Sequence, residues 1–374
     1  MPRTLVVSNL ATHYRKPLYL RMTELMDVEF VFYSDGGEWY WNAEDAGIEG
    51  LPARRLKGVW LGRTRVTPGL IPIVLRSRYD VCMSSMDGKF AVAASYLGSR
   101  LRRRPWVLWA GLWRHPTSRG SWLTRPLSRY LYRHADVVLT YGKHVSRFVI
   151  EEGADPARVW EAPQAVDQAL FHHLDRDLRP HTPLRIGYVG RLEPWKGAAV
   201  LVDALALLSG RGVAFTARLA GTGPDEHQLR NDIAAAGLQD RVELVGQVAN
   251  HELPGLYRDL DVVVIPSIDS PDFTEPWSLV ANEAMGCGCL VVATDAVGAA
   301  ADGLVTDRVT GRVVPAGDAA ALAAALGDAA ADPGEVERLR RSGIEAVKAY
   351  SFDAAADAFV RATALVTTGR KQRD

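Results

Sequence analysis

Cysteine is scarce in this chain, three residues in 374. Cys82, Cys287 and Cys289 are an odd number, and the last two sit one residue apart in an apolar segment with no further Cys or His close by. A disulfide framework and a zinc site are both disfavoured, and the thiols are read as reduced and packed. No run of about 18 apolar residues occurs, so no membrane-spanning helix is expected. The apolar start MPRTLVVSNL is cut by Asn9, too soon for a secretory h-region. A cytoplasmic protein is expected.

Glycine is missing where a dinucleotide enzyme would need it. The first strand candidate, TLVVS, runs into NLATHYR with none, and AGTGPDE (Ala220 to Glu226) places Glu226 where the third glycine of the fingerprint belongs. A nicotinamide-type oxidoreductase is therefore disfavoured. Acidic residues are absent from Gly88 to Ala135, a stretch holding Lys89, Arg100, Arg102, Arg103, Arg104, Arg114, Arg119, Arg125, Arg129 and Arg133 among Trp106, Trp109, Trp113 and Trp122. Such a mixture suits peripheral contact with an anionic membrane or a phosphate-bearing partner. A solvated basic face over core tryptophans is the competing reading. Nucleic acid is not expected, because no recognisable nucleic-acid module surrounds the patch.

The balance of 44 basic and 44 acidic residues hides an asymmetry. Residues 1–180 carry 26 Lys and Arg against 18 Asp and Glu, a net of +8, and the remainder mirrors it at −8. The length suits two domains. Hydrophobic residues at 48% and charged ones at 24% are ordinary for a soluble globular protein.

Short β-branched runs alternate with amphipathic stretches throughout. TLVVS, VEFVFYS, DVCMSS, WVLWA and DVVLT read as strands of the first half, and LRIGYVG, AFTARLAG, VELVG, DVVVIPS and CLVVAT as strands of the second. That alternation predicts two Rossmann-like, doubly wound parallel-sheet domains facing a central cleft. The expected organisation is a first domain over residues 1–170, a linker over 171–183, a second domain over 184–350, and a last helix over 351–374 packing back on the first domain.

Three motifs of the second half carry chemistry. LRIGYVG leads into GRLEPWKG, where Gly190 and Gly197 permit a tight turn and Arg191 and Lys196 offer two cations at a strand end. Gly221 opens a turn after the next strand. In EPWSLVANE, Glu275 lies in a loop and Glu283 about two turns into the following helix, which GCG terminates. Free N–H groups at that helix start would favour a phosphate, and a carboxylate on each side would accept hydrogen bonds from sugar and ribose hydroxyls. A plain helix-terminus charge and a surface charge are the alternative for the two glutamates.

Taken together, GRLEPWKG, AGTGP, DVVVIPS, EPWSLVANEAMGCG and VVATDAVGAAADGL resemble the retaining glycosyltransferases of family 4, which have the GT-B fold. The resemblance covers most of residues 184–315 and extends to ADVVLTYGKHVSRFVIEEG and APQAVDQALF before the linker. It implies that Arg191 and Lys196 hold the diphosphate of a nucleotide-sugar donor, of UDP or GDP type, with no metal and no further cofactor. It also implies that Glu275 binds hydroxyls of the transferred sugar and Glu283 the ribose. Gly190 and Gly221 then line the site, the backbone of Trp277, Ser278 and Leu279 meets sugar and phosphates, and Gly246 and Val248 meet the base. His115, in WAGLWRHP, sits where family members place a histidine near the sugar. Ser278 stands where glycine is commonest, Gln164 replaces the usual asparagine and glycine pair, and the first strand lacks the glycine-rich loop many members have. The implied acceptor is a lipid-linked or cell-surface glycan intermediate at the inner face of the membrane, or a soluble natural product. A non-catalytic sugar-nucleotide-binding subunit of a glycan-assembly complex is the alternative of another class.

Overall fold

In the computed structural model the described residues are 1–34, 47–62, 64–115, 121–173, 176–271, 273–301 and 303–371. Arg119 and the Trp122 side chain of the basic, Trp-rich segment lie outside them. The chain forms two units, one comprising Met1–His115, Arg119–Ala165 and Phe352–Asp374, the other Val166–Ser351.

The first unit runs β1 (Thr4–Ser8), α1 (Lys16–Leu25), β2 (Val28–Phe32), β3 (Ala53–Arg55), the hairpin β4 (Val59–Leu61) and β5 (Thr64–Val66), α2 (Leu70–Arg76), β6 (Val81–Ser85), α3 (Lys89–Leu101), β7 (Trp106–Ala110), α4 (Ser121–His134), β8 (Val137–Thr140), α5 (Lys143–Glu151) and β9 (Val159–Glu161). Seven strands pair in the order β3-β2-β1-β6-β7-β8-β9, all parallel. Val6 of β1 lies opposite Phe30 on one side and Met83 on the other. Every residue of β1, β6, β7 and β8 is buried. That is why these segments read as continuous apolar runs rather than as alternation: helices cover both faces of a parallel sheet.

The second unit runs β10 (Leu184–Val189), α6 (Ala198–Gly210), β11 (Phe215–Ala220), α7 (Glu226–Ala235), β12 (Val242–Gly246), α8 (Leu253–Arg258), β13 (Val262–Ile265), α9 (Leu279–Gly286), β14 (Leu290–Thr294), α10 (Gly298–Ala301), β15 (Arg312–Val314), α11 (Ala319–Ala331) and α12 (Pro333–Val347). Its six parallel strands lie in the order β12-β11-β10-β13-β14-β15. From β10 the chain steps outward to β12, then crosses back to β13, so the direction of winding reverses between β10 and β13. Doubly wound sheets bind ligands beyond the carboxyl ends of the strands at that reversal. Leu201, Leu205 and Leu208 bury one stripe of α6 against Ile186 and Val264 of the sheet, each worth about 2 kcal/mol of hydrophobic burial.

The opposite end of the second sheet is fastened by charge. Asp261, fully buried just before β13, accepts backbone N–H bonds from His181 and Arg185 at 3.0 Å and pairs with the fully buried Arg340 of α12 at 3.3 Å. The segment read as a linker is packed onto this unit. Phe171 and Leu178 are buried, and Arg176 donates to the carbonyls of Tyr257, Cys287 and Leu260. One arginine satisfying three carbonyls holds this segment down.

After Ser351 the chain re-enters the first unit as α13 (Phe352–Lys371). This helix packs on α1, and its buried Phe359 meets Trp109 of β7 edge-on at 5.1 Å.

Candidate functional site

Glycines bring the strand ends of the second unit together. Gly190, after β10, donates its N–H to Ala220 at 3.0 Å, and Gly221, after β11, donates to Gly246 at 2.7 Å. A Cβ on Gly221 would lie 1.7 Å from the Gly190 carbonyl, and one on Gly197 would lie 1.9 Å from that of Pro266, just past β13. Both have positive φ, so these two positions require glycine for conformation and for space. The second contact seats the N-terminus of α6 against the end of β13, at the reversal point.

There the two charged motifs meet. Pro194–Lys196 forms a single 3-10 turn that presents Lys196, and its Nζ is ion-paired and hydrogen-bonded to Glu275 Oε2. Ser267 Oγ, from the end of the β13 segment, donates to the same oxygen at 3.3 Å. Glu275 is 7% exposed, held by a backbone bridge to Val297 and by a bond from Gly298 N–H to its carbonyl. Arg191 is ion-paired with Glu193 in the same loop.

The chain then enters α9 through a strained residue. Ser278 has φ +77°, a conformation L residues adopt reluctantly, which supplies the physical reason for a glycine preference there. Trp277 before it is buried and donates through Nε1 to Asn282 Oδ1 at 2.8 Å, a bond that fixes the entry to the helix. Leu279 begins α9, where the first N–H groups have no partner within the helix. Glu283, the fifth residue of α9, is a little over one turn in and 9% exposed, so the surface-charge alternative does not hold for it. It accepts a 2.7 Å bond from the Tyr257 hydroxyl of α8. Burial raises its carboxyl to about 7 against an ordinary 4.5, and the tyrosine bond opposes that only in part.

Gly246 ends β12 with positive φ, and Val248 lies half-buried in the loop beyond it. The second unit thus gathers Gly190, Arg191, Lys196, Gly221, Gly246, Val248, Glu275, Trp277, Ser278, Leu279 and Glu283 on the loops and helix starts beyond β10 to β13. Ser267, Tyr257 and Asn282 join them, and nothing in the sequence pattern singled these three out. His115 belongs to the first unit, where its Nε2 lies 2.9 Å from Glu152 at the end of α5 and its ring packs against Phe148. Burial pushes the Glu152 carboxyl up, but Arg125 and His115 outweigh it and leave the group below its usual range. On α4, Arg125, Pro126, Arg129, Tyr130, Arg133 and His134 line a recess of about 500 Å³. The three cysteines are free and buried, and burial pushes the thiols of Cys82 and Cys287 up to about 12, so neither is a nucleophile at neutral pH.

Two family descriptions match the chain in succession: glycosyl transferase 4-like domain over residues 14–164, and glycosyl transferases group 1 over residues 173–346. The chain is similar to a putative colanic acid biosynthesis glycosyltransferase, WcaL, of Salmonella typhimurium, 34% identical over 205 residues, 54% of this chain and 50% of that protein. It is likewise 34% identical over 220 residues to a D-inositol 3-phosphate glycosyltransferase of Salinispora tropica, covering 55% and 43% of the two. The chain spans about half the length of the curated relatives it matches. Among solved structures, Anabaena Alr3699/HepE in complex with UDP superimposes with a TM-score of 0.75 at 20% identity, over 96% of this chain and 98% of that one. Sucrose-phosphate synthase of Thermosynechococcus elongatus gives 0.74 at 19%, over 98% and 100%. With both domains matched in order and the doubly wound sheets in place, the chain belongs to the glycosyltransferases of the family-4 type, with the GT-B fold.

Proposed function

We propose that this protein transfers a sugar from a nucleotide-diphosphate sugar, of UDP or GDP type, to an acceptor hydroxyl with retention of anomeric configuration. The observation that carries the reading is the Lys196–Glu275 pair at the reversal point of the second sheet, between the N-termini of α6 and α9. The lysine supplies positive charge and the helix starts supply N–H donors for a diphosphate, while Glu275 and Glu283 supply acceptors for hydroxyls. Solved relatives carrying UDP and UDP-glucose are consistent with that donor class.

In this reading the bond between the anomeric carbon and the diphosphate breaks as the acceptor oxygen bonds to the same face of the sugar. The acceptor proton passes to the departing phosphate oxygen. Lys196 and Arg191 neutralise the growing charge, so no metal ion and no protein base are required. On donor arrival the Lys196 ammonium exchanges part of its bond to Glu275 for phosphate, which frees that carboxylate for the sugar. Lys196→Ala and Glu275→Ala each lower turnover by roughly a hundredfold or more, the scale of losing one such group. Arg191→Ala abolishes the rise in melting temperature that UDP or GDP gives without added metal. Near-normal turnover in both alanine variants would overturn the assignment.

The acceptor is proposed to be a lipid-linked or cell-surface glycan intermediate, met at the cytoplasmic face of a membrane. Leu97 and Leu101 of α3 and Leu127 and Tyr130 of α4 are exposed apolar residues on the segment free of acidic residues, and Trp60 and Leu61 of β4 are exposed in the hairpin whose second strand packs on α3. Apolar side chains among arginines suit an anionic lipid interface. Among the described residues no helix is long and apolar enough to cross a membrane, so contact would be peripheral. The protein is expected to co-sediment with phosphatidylglycerol vesicles and not with phosphatidylcholine ones, and Trp60→Glu with Leu61→Glu weakens that binding. Equal recovery in the supernatant with both vesicle types would rule the membrane out.

A further inference from the structure

Tyr257 takes no part in the reading above, yet it holds the one glutamate of the site that, among the described residues, is ion-paired with no lysine or arginine. The geometry points to Tyr257 as the residue that positions the Glu283 carboxylate for the donor's ribose, by donating its hydroxyl hydrogen to Oε2 and leaving Oε1 to the ligand. This deepens the donor-site assignment and rests on it.

Both groups are buried, Tyr257 completely, and the bond joins α8 to α9 at 2.7 Å. Tyr257 is itself fixed. Its ring meets Phe171 edge-on at 6.1 Å, and its carbonyl accepts bonds from Arg176 Nη1 and Cys289 Sγ, each at 3.0 Å. The hydroxyl therefore has little freedom to turn away. Burial and the neighbouring carboxylate hold the phenol well above its usual range, so it remains a donor at any working pH.

Other titratable groups lie around Glu283 without bonding to it. Arg258 of α8 and Arg176 act on the thiol of Cys287, with Cys289 beside it. Arg340 of α12 is committed to Gly288 and Asp261. The sequences of β13 and β14 contain no titratable residue. Among the described residues no lysine or arginine is ion-paired with Glu283. The tyrosine is thus the side chain that both orients this carboxylate and favours its ionised form, the form able to accept from two ribose hydroxyls.

The test is the affinity for UDP and GDP by calorimetry between pH 5.5 and 9, for the full-length wild type, Tyr257→Phe and Glu283→Gln. The affinity of the wild type is expected to rise with pH through about 7, where Glu283 ionises. Tyr257→Phe weakens binding about tenfold at pH 7, the scale of a hydrogen bond to a charged group, and moves the midpoint to higher pH so that affinity recovers by pH 9. Glu283→Gln binds weakly at every pH. Replacing Tyr257 by a fluorotyrosine keeps the volume and strengthens the donor, so it moves the midpoint down, and it serves if the phenylalanine variant does not fold. A Tyr257→Phe profile superimposable on the wild type, with Glu283→Gln weakened, overturns the role of the tyrosine alone. Wild-type affinity retained in Glu283→Gln, or absent for both nucleotides, overturns the donor-site reading and this inference with it. Tyrosine acting only through packing would lower affinity equally at all pH values, which also sinks the proposal.

Discussion

Glu283 shows how a site can be recognised by what it costs. A carboxylate raised to about 7 from an ordinary 4.5 binds a proton in the folded state that it has already released in the unfolded chain over that interval. Stability is unaffected below about 4.5, falls as pH rises toward 7, and stays reduced by about 3 kcal/mol above it, at roughly 1.4 kcal/mol per pH unit. Glutamine has the same shape and still accepts from Tyr257 but carries no charge. Glu283→Gln is therefore expected to unfold at a higher temperature than the wild type at pH 8 and at the same temperature near pH 4.5, while losing nucleotide affinity. Stabilisation combined with lost binding marks a group kept for function rather than for the fold. Equal melting temperatures at pH 8 would show that Glu283 is ionised without penalty. Lys196 and Glu275 differ in kind, because each neutralises the other until a ligand arrives.

At the level of elements, the central strands were plain in the sequence. TLVVS and WVLWA match β1 and β7 residue for residue, and DVVLT and DVVVIPS contain β8 and β13, because buried parallel strands are short apolar runs bounded by turns. Of the four edges of the two large sheets only β12 was legible, as VELVG. Ala53–Arg55, Val159–Glu161 and Arg312–Val314 are three residues each and mix charge with apolar side chains, and the Val59–Val66 hairpin was not foreseen either. Short edge strands are set by a neighbour's free hydrogen-bonding groups rather than by their own pattern. Glu283 was foreseen on α9, but Tyr257 was not, since a tyrosine five residues before β13 reads as ordinary core. The Asp261–Arg340 pair escaped for a related reason: 79 residues separate two charges whose burial only the tertiary fold reveals.

For the whole molecule, chain order matters as much as sheet order. Among the described residues the second unit is a continuous stretch, Val166–Ser351, whereas the first needs its last helix from the far end of the chain. The first sheet is thus complete only when α13 covers α1 and Trp109. Phe359, 1% exposed in that helix, is the residue to test. Phe359→Ala removes a buried aromatic and is expected to destabilise the first unit by about 3 to 5 kcal/mol, seen as earlier loss of Trp109 burial during heating. Nucleotide affinity measured well below that transition should stay within about twofold of wild type, since the substitution leaves the donor loops of the second unit intact and distant sites act additively. A loss of UDP affinity that tracks the loss of stability would mean the donor loops depend on the first unit's core. The assignment of donor chemistry to residues 184–315 alone would then fail.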